Sequence, residues 1–405
     1  MKLKVLIIGL IWPEPSATAA GVRMIQLIEF FQYYNFEIVF CSSAKKSDLS
    51  IDLEAIGVKE NTVRINDSSF DTFISELKPD FVVFDRFLTE EQFGWRIEDV
   101  CPTTLRILDT EDLHFLREGR KNGATSDFTE SELAKREIAS MYRCDLSLII
   151  SEYEMEFLKN EFKIPDSLLA YLPFLENSLT SNQLSKYPRF DERHHFISIG
   201  NFKHEPNWKA VLNLKKSIWP LIRKALPEAE MHVYGAYAPQ KAFDLHNSSE
   251  GFIVKGWTPD IETVYTRARI CLAPLEFGAG IKGKLMYSMK YGTPNITFPM
   301  GAEGMQIKNI WNGYIAKDST DFAQKAIALY ENEKNWIEFQ KNGVYLFNKR
   351  FKKEKFYPKM IEKLLFIRNN RNHHRSQNFI GAMLRHHHLR STKFLSKYIE
   401  IKNSN

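Results

Sequence analysis

Cysteine is scarce in this sequence, with four residues among 405: Cys41, Cys101, Cys144 and Cys271. They show neither close pairing nor the spacing of metal ligands, which argues against a disulfide-stapled scaffold and a cysteine-based zinc site. Cys41 and Cys271 fall inside strand-like apolar runs. The pattern therefore predicts reduced, buried thiols in a cytoplasmic protein.

Long apolar runs are also lacking. No segment approaches the roughly 18 apolar residues that a membrane-spanning helix needs, so the sequence predicts no such helix. The apolar start of the chain stops at Trp12-Pro-Glu-Pro15 without a plausible cleavage site. We therefore interpret it as a first buried strand and not as a signal peptide.

Acidic residues become rare towards the C terminus. Residues 351–405 hold 13 Lys or Arg and 3 Glu, a balance of +10, although the whole chain sums to +5. Interleaved with apolar residues, this basic segment predicts either peripheral contact of residues 371–405 with an anionic membrane or a solvated, partly disordered end. Nucleic acid is not expected as a partner, because the rest of the chain is acidic and no binding motif is present. The histidine triplet at 386–388 does not make a defined metal site.

Short β-branched runs alternate with amphipathic helical segments along the chain. Met24, Leu27, Ile28 and Phe31, for example, form one apolar helical face between the first two runs. This β-α-β-α order predicts parallel sheets that are covered by helices on both faces. The predicted strands span residues 5–11, 37–41, 62–65, 81–84, 105–108 and 146–150, and then 196–200, 231–234, 252–254, 270–275 and 295–298.

A stretch rich in Ser, Asn, Pro and charge, from Pro173 to His195, interrupts the alternation and predicts a linker. With 44% hydrophobic residues, the chain can bury two cores. The predicted fold class is α/β, with two Rossmann-like doubly wound domains facing a ligand cleft. The predicted parts are domains over 1–180 and 190–350, a closing helix over 351–370 and a basic tail over 371–405.

The glycine-rich segment Glu276-Phe-Gly-Ala-Gly-Ile-Lys-Gly-Lys284 lies between an apolar strand and a helical pattern. Glycines such as Gly278 and Gly280 let a backbone approach a ligand closely. The start of a helix offers unpaired N–H donors, and Lys282 and Lys284 add two mobile positive charges. This combination predicts a binding site for the diphosphate of a nucleotide-linked substrate.

The same segment also matches the dinucleotide pattern G-x-G-x-x-G, from Gly278 to Gly283, with Glu303 twenty residues further on. Alone, this match would indicate an NAD-dependent enzyme. However, it falls deep in the second half, and the first strand is followed by no such loop. Two lysines within three positions suit a departing diphosphate better than one that is merely held.

These residues resemble a known family. The segments Ala273-Pro-Leu-Glu-Phe-Gly-Ala-Gly-Ile-Lys-Gly-Lys284, Gly292-Thr-Pro294 and Met300-Gly-Ala-Glu-Gly-Met305 resemble the donor-binding region of retaining GT-B glycosyltransferases of the group 1 or family 4 type. Ile199-Gly-Asn-Phe-Lys-His-Glu-Pro-Asn207 resembles the loop that opens the second domain in one branch. Pro13-Glu-Pro-Ser-Ala-Thr-Ala-Ala-Gly-Val-Arg23 is similar to the glycine loop after the first strand. The likeness covers most of residues 1–350 and is strongest over 270–305.

The resemblance implies a hexosyltransferase that moves a sugar from a nucleotide diphosphate sugar to a saccharide or lipid-linked acceptor with retention. It implies a role in bacterial surface polysaccharide or glycoconjugate synthesis, without a cofactor or a metal. The protein would then be cytoplasmic, at the inner face of the membrane if the tail contacts lipid.

The sequence also departs from this family. Ala279 and Tyr287 stand where many members carry two glutamates, and Asn201 stands where an arginine is common. Two alternatives therefore remain open. One is a catalytically impaired nucleotide-sugar binding protein, and the other is a sugar-nucleotide epimerase of the same fold.

The resemblance also implies roles for individual residues. His114, Lys282 and Lys284 would be catalytic. Because the loop of Asp109, Glu111 and Asp112 follows a strand and should line the cleft, these acids could orient acceptor or sugar hydroxyls. Alternatively, these three acids cap the next helix and His114 is a packed loop residue; Gly21 could equally be a plain turn glycine. The residues expected to bind the donor are Gly21, Asn201, Gly278, Gly280, Gly301, Ala302 and Glu303.

Overall fold

The computed structural model describes residues 2–123, 128 and 130–404, without the side chains of residues 387–390 and 404. The chain divides into two compact units. The first unit comprises Met1–Pro15, Ala20–Phe174 and Glu354–Asn405, and the second comprises Ser16–Ala19 and Leu175–Lys353. The four cysteines are free and buried, which confirms the expectation for their side chains.

The first unit is built around a seven-stranded parallel sheet in the order β3-β2-β1-β4-β5-β6-β7. Its strands are β1 (Lys4–Gly9), β2 (Glu37–Ser42), β3 (Lys59–Thr62), β4 (Phe81–Asp85), β5 (Leu105–Asp109), β6 (Leu146–Ile149) and β7 (Leu169–Tyr171). Its first helices are α1 (Ala19–Tyr33), α2 (Ser69–Leu77), α3 (Arg86–Val100), α4 (His114–Lys121), α5 (Glu132–Arg143) and α6 (Glu152–Glu161). The strand order reverses between β1 and β4, where doubly wound sheets bind their ligands.

The second unit repeats this architecture with a six-stranded parallel sheet in the order β10-β9-β8-β11-β12-β13. Its strands are β8 (His194–Ile199), β9 (Met231–Tyr234), β10 (Phe252–Gly256), β11 (Ala268–Ala273), β12 (Asn295–Thr297) and β13 (Gly313–Ile315). Its helices are α7 (Ser181–Leu184), α8 (Glu205–Asn213), α9 (Trp219–Ala225), α10 (Gln240–Phe243), α11 (Ile261–Arg267), α12 (Gly283–Lys290), α13 (Pro299–Ala302), α14 (Ser319–Glu331) and α15 (Glu333–Arg350). The reversal lies between β8 and β11.

The last part of the chain forms α16 (Lys353–Asn369), α17 (Arg371–Ser376) and α18 (Phe379–Ser404). From Glu354 onwards it belongs to the first unit, where α18 packs against α3 and α5. The described part of this segment is therefore helical and not disordered, although much of its surface is exposed to solvent, as expected. The side chains of residues 387 and 388, two of the predicted histidine triplet, lie outside the described residues.

Basic side chains of this segment bind the body of the first unit. Arg375 Nε and Nη2 donate to Asp145 Oδ1 and Oδ2 at 2.7 and 2.8 Å. Arg371 Nη1 donates to the Thr103 carbonyl at 2.7 Å. Part of the positive charge that we interpreted as a membrane signal is therefore used inside the protein. A local sequence pattern could not show this, because the acceptors lie more than 200 residues away.

The predicted α/β class with two doubly wound sheets is confirmed, and the predicted strands occur within a few residues of their expected positions. The third strand was placed too late, because its sequence Lys-Glu-Asn-Thr is polar and gives no apolar signal, although its backbone pairs with β2. Two further strands, β7 and β13, were missed, and each contains only three residues.

Candidate functional site

The glycine-rich loop lies where the topology places a ligand site in the second unit. It follows β11, and the loop that begins at Gly200 follows the neighbouring strand β8. Both loops leave the carboxyl edge of the sheet at its switch point. Parallel strands therefore bring the two predicted donor segments, which are more than 70 residues apart in sequence, to one edge.

Two glycines give this loop a backbone that other residues adopt at a cost. Gly278 has a φ of 155° and Gly280 has a φ of 63°, both within the region that favours glycine. A Cβ built on Gly278 would meet only Lys282 Cε, at 3.8 Å. The backbone conformation, and not a lack of space, thus explains this glycine.

Lys282 and Lys284 flank the start of α12 in different surroundings. Lys282 is 8% exposed, and its Nζ donates to the Gly280 carbonyl at 2.8 Å, inside the loop itself. Lys284 is half-buried, and its ammonium has no hydrogen-bond or ion-pair partner among the described residues. Burial lowers the pKa of Lys284 to about 8. A partly desolvated cation without a counter-ion can be stabilised by an arriving anion.

Asn201 shapes the loop after β8 through local contacts. Its Oδ1 accepts from the Lys203 N–H at 2.8 Å, and its carbonyl accepts from Asn207 Nδ2 at 3.0 Å. Gly200 lies against the same side chain, since a Cβ on it would stand 2.7 Å from Asn207 Cγ. These contacts close a tight turn at the end of β8. Asn201, which the sequence predicts to bind the donor, therefore also stabilises this turn.

The short helix α13 places Gly301, Ala302 and Glu303 beyond the end of β12. Gly301 and Ala302 are buried, and a Cβ on Gly301 would lie 1.9 Å from Thr297 Oγ1. Close packing therefore requires the glycine, and a donor could contact these two residues only through their backbone. The Glu303 side chain is half-buried and lies at the C-terminal end of α13.

The two positions that usually carry glutamates lie on either side of the lysine pair. Ala279 is half-buried in the glycine-rich loop, and Tyr287 is half-buried on α12. The Tyr287 ring stacks on Tyr291, with centroids 6.2 Å apart. At position 287 the chain thus carries an aromatic side chain where many members of the resembled family carry a charged one.

A second group of predicted residues lies at the carboxyl edge of the first-unit sheet. Asp85 and Asp109 end the neighbouring strands β4 and β5 in register. Asp109 is fully buried, and Arg23 Nη2 on α1 donates to its Oδ1 at 2.6 Å. Asp109 is therefore occupied in this structure, and a sugar hydroxyl cannot reach it without displacing Arg23.

His114 begins α4, and the carboxyl groups of two distant residues hold this helix start. Glu137 accepts from the N–H groups of His114 and Phe115 at 3.2 and 3.1 Å, and Glu154 accepts from Leu113 N–H at 3.1 Å. These contacts satisfy donors that have no acceptor inside the helix. The alternative that the loop acids cap α4 is wrong, because Glu137 and Glu154 do so.

The His114 side chain is 14% exposed, with Nε2 3.5 Å from Asp112 Oδ1. Its ring packs edge-to-face on Phe87, with centroids 5.5 Å apart. Gly21 lies elsewhere, within α1, where a Cβ would stand 2.5 Å from the Glu14 carbonyl carbon. Gly21 thus lets the loop after β1 pack against α1, so it is a close-approach glycine and not a turn glycine.

Arg23 and Glu137, which hold Asp109 and the start of α4, were not predicted from the sequence. Arg23 lies one residue before Met24 on the predicted apolar face of α1, and a charged residue there was a usable signal of a buried ion pair. Glu137 gave no comparable signal, because α5 has many charged residues.

The described residues contain no helix long and apolar enough to cross a membrane. Within the same residues, no group of three or more His, Cys, Asp or Glu side chains is arranged to hold a metal ion.

Comparison with known proteins finds a family match within the second unit. Residues 193–332 match the family model described as glycosyl transferases group 1. No curated protein matches the chain.

Solved structures match nearly the whole chain. Sucrose-phosphate synthase from Thermosynechococcus elongatus is 14% identical with a TM-score of 0.67, covering 90% of this chain and 99% of that one. A glycosyltransferase from Rickettsia africae is 12% identical with a TM-score of 0.65, covering 90% and 98%. Anabaena HepE, in complex with UDP and glucose, is 12% identical with a TM-score of 0.63, covering 89% and 99%. The chain therefore has the GT-B fold, and its residues 193–332 are similar to the group 1 glycosyl transferases, as the resemblance predicts.

Proposed function

We propose that this chain, with its GT-B fold and its similarity to the group 1 glycosyl transferases, transfers a hexose from a nucleotide diphosphate sugar to an acceptor hydroxyl. Transfer proceeds with retention at the anomeric carbon and without a metal. The complex of the similar HepE structure with UDP and glucose supports a UDP-linked donor. Retention and metal independence rest on the resemblance of residues 273–305 to the retaining family.

One observation carries this proposal, namely the half-buried Lys284 ammonium without an anionic partner at the start of α12. Negative charge builds on the diphosphate as the glycosidic bond breaks. An ammonium near a phosphate oxygen contributes on the order of 4 kcal/mol at an intermediate dielectric. A helix N-terminus adds about 0.3–1 kcal/mol. Lys284, Lys282 and α12 would thus stabilise the leaving group in the absence of a metal.

We assign the remaining predicted residues to the donor as follows. The backbone of Gly278, Gly280, Gly301 and Ala302 lines the path of the diphosphate and sugar. The positive φ of the first two glycines and the small size of all four residues support this assignment. Glu303 binds a donor hydroxyl. In the first unit, His114 contacts the sugar and Gly21 lets the loop after β1 close. In the second unit, Asn201 binds the donor from the loop after β8. The acceptor is a saccharide or lipid-linked saccharide of bacterial surface polysaccharide synthesis, as the resemblance implies.

The proposed location is the cytoplasmic face of a membrane, with α18 in contact with anionic lipid. Although several basic side chains of the C-terminal segment bind the first unit, α18 still exposes apolar side chains and two lysines on its surface. Such a combination fits the headgroup region of an anionic bilayer. The exposed residues are Phe379, Ile380, Met383, Phe394, Leu395, Lys397, Tyr398, Ile401 and Lys402.

The transfer reaction is tested with a panel of UDP-glucose, UDP-N-acetylglucosamine and GDP-mannose. Release of nucleoside diphosphate is measured with and without lipid-linked saccharides, and the anomeric configuration of the product is read by NMR. Acceptor-dependent release with retention supports the proposal. Release of free sugar without an acceptor indicates hydrolysis or epimerase chemistry. Binding without turnover indicates a nucleotide-sugar binding protein, which the replacement of the usual glutamates by Ala279 and Tyr287 would explain.

The role of the lysine pair is tested by Lys282→Ala/Lys284→Ala, with Lys224→Ala as a control at an exposed position of α9. We expect the double variant to lose UDP affinity by at least tenfold and to lose donor turnover. Unchanged affinity and turnover in the double variant would contradict the proposed leaving-group mechanism.

Membrane contact needs point substitutions, because deleting residues 371–405 would also remove the bonds of Arg371 and Arg375 to the first unit. Phe394→Ser/Leu395→Ser should reduce sedimentation with phosphatidylglycerol vesicles and leave UDP affinity unchanged. A matched exposed apolar change, Tyr33→Ser on α1, should not. Equal vesicle binding of all three proteins would remove the membrane part of the proposal.

A further inference from the structure

Four carboxyl groups meet three guanidinium groups at the carboxyl edge of the first-unit sheet. Asp85 and Asp109 end two neighbouring strands, and Glu111 and Asp112 follow in the loop before α4. The arginines come from α1, the start of α3 and α4. Each of the three has an aspartate as its closest acidic partner: Arg23 with Asp109 at 2.6 Å, Arg86 with Asp85 at 3.5 Å, and Arg117 with Asp112 in direct contact.

Glu111 is left over in this arrangement. Among the described residues, no side chain or backbone group makes a hydrogen bond or ion pair with its carboxyl group, and its Oε1 is fully enclosed. A buried oxygen without a partner is costly in a folded protein. Glu111 therefore has hydrogen-bonding capacity that the chain itself does not use.

The backbone at this residue is also unusual. Glu111 has a φ of 62°, and Arg86, at the end of the neighbouring strand, has a φ of 70°. Residues with a Cβ rarely adopt this region, and such positions cluster at ligand sites. Two of them follow adjacent strands at the edge where doubly wound sheets bind ligands.

The electrostatic surroundings favour the uncharged form of the Glu111 carboxyl. Burial and the neighbouring Asp109 and Asp85 raise its pKa to about 8, against the opposing charges of Arg86 and Arg23. An uncharged carboxyl offers one O–H donor together with acceptor oxygens. A sugar hydroxyl, which also donates and accepts, complements this group.

We propose that Glu111 is a specificity-determining residue whose carboxyl group holds a hydroxyl group of a saccharide substrate. This inference rests on the proposed glycosyltransferase function and extends it to a residue with a defined chemical task. The saccharide is either the sugar of the donor or the acceptor. Asp109 and Asp112 differ from Glu111, because an arginine contacts each of their carboxyl groups.

The test compares Glu111→Gln and Glu111→Ala with Glu118→Gln, an exposed acid on α4. For the donor, calorimetry gives the affinities of UDP-glucose, UDP-N-acetylglucosamine and GDP-mannose, each divided by that of its nucleoside diphosphate. This ratio isolates the sugar and cancels effects on the diphosphate site. For the acceptor, the KM is measured with a panel of nitrophenyl glycosides and the donor that binds best.

We expect Glu111→Ala to lower the sugar ratio or raise the acceptor KM by about 2- to 10-fold, the range of one hydrogen bond. Glu111→Gln, which keeps a donor and an acceptor, should remain near the original value at pH 7. In the original protein the contribution of the sugar to the measured affinity or KM should weaken above about pH 8, as Glu111 ionises. In Glu111→Gln this contribution should not change with pH. A purely structural role would change thermal stability but would not produce this pH profile.

A change in the sugar ratio identifies the bound saccharide as the donor sugar, whereas a change in the KM identifies it as the acceptor. If Glu111→Ala behaves like Glu118→Gln in both arms, or if Glu111→Gln is as defective as Glu111→Ala, the inference is wrong. Intact UDP binding in that case leaves the proposed function standing. Absence of UDP and GDP binding in the original protein would instead overturn the proposed function itself and this inference with it.

Discussion

Arg23 Nη2 and Asp109 Oδ1 lie 2.6 Å apart in the interior of the first unit, where both side chains are at most 1% exposed. The guanidinium also donates from Nη1 to the Leu172 carbonyl at 2.8 Å. One side chain thus ties α1 to the end of β5 and to the segment after β7. Because the pair is desolvated, each buried charge is stabilised mainly by the other, and loss of one leaves the other uncompensated.

Asp109→Asn should therefore destabilise the first unit strongly. It leaves the buried Arg23 charge without its counter-ion, which costs about 3–5 kcal/mol when one partner of a buried pair is removed. Glu37→Gln is the control, since its ion pair with Lys59 is exposed and contributes about 0–1 kcal/mol. Hydrogen exchange of first-unit peptides measures both effects. Similar exchange in the two variants would show that Arg23 finds another partner.

The fold could be predicted from the sequence because its signals are local. Apolar runs such as β1 and β4 are buried along almost their whole length, and the glycines and lysines of the loop after β11 are contiguous. The residue type of Gly278 was itself informative, because glycine adopts its observed φ of 155° more readily than other residues.

The supports of the site could not be predicted, because they depend on contacts between distant segments. Glu137 reaches the start of α4 from 23 residues away, and Arg375 reaches Asp145 from 230 residues away. In each case the sequence shows one charged residue among many. Only the folded chain selects the partner, so the basic C-terminal segment was interpreted by its charge and not by its contacts.

A second prediction concerns the Glu137 carboxyl group, which accepts from the N–H groups of His114 and Phe115. Glu137→Ala leaves these donors unsatisfied, at a cost of about 1–3 kcal/mol, and frees the helix turn that positions His114. We expect donor turnover to fall while UDP affinity stays unchanged, because Lys282 and Lys284 lie in the second unit. Glu137→Gln keeps one acceptor oxygen and should show a smaller loss. Equal turnover of the original protein and Glu137→Ala would show that the position of His114 does not affect the reaction.

A third prediction follows from the pKa of Lys284, which burial lowers to about 8. UDP binds the charged ammonium, so affinity should be constant below pH 8 and fall above it, by at most tenfold per pH unit. A bound diphosphate raises the pKa of Lys284, and the decline ends where the bound form also loses its proton. Lys284→Arg should remove the decline, because the guanidinium stays charged.

Calorimetry with UDP between pH 7 and 10 measures this profile. Lys284→Met should bind more weakly at pH 7 and show no decline of its own, while the exposed control Lys224→Met should reproduce the original curve. A decline that persists in Lys284→Arg would assign the titration to another group.

The last prediction concerns acid stability and the contact between Arg375 and Asp145. Burial raises the pKa of Asp145, but hydrogen bonds from Arg375 and the charges of Arg106 and Arg375 outweigh it, so the pKa is lowered overall. A lowered carboxyl pKa contributes stability above the unfolded pKa, and this contribution is lost as the pH falls through the folded pKa. Arg375→Met removes the strongest of the opposing contacts and should move the acid-unfolding midpoint to higher pH.

Arg371→Met is a matched control for this change, because Arg371 is in the same helix and donates to a backbone carbonyl, that of Thr103. It removes the same charge from α17 without touching the Asp145 carboxylate, so its acid midpoint should stay close to that of the original protein. Far-ultraviolet circular dichroism across an acid titration reads both midpoints. If the two variants shift equally, the charge of the helix and not the paired carboxylate controls acid stability, and the C-terminal helices are held mainly by the packing of α18 on α3 and α5.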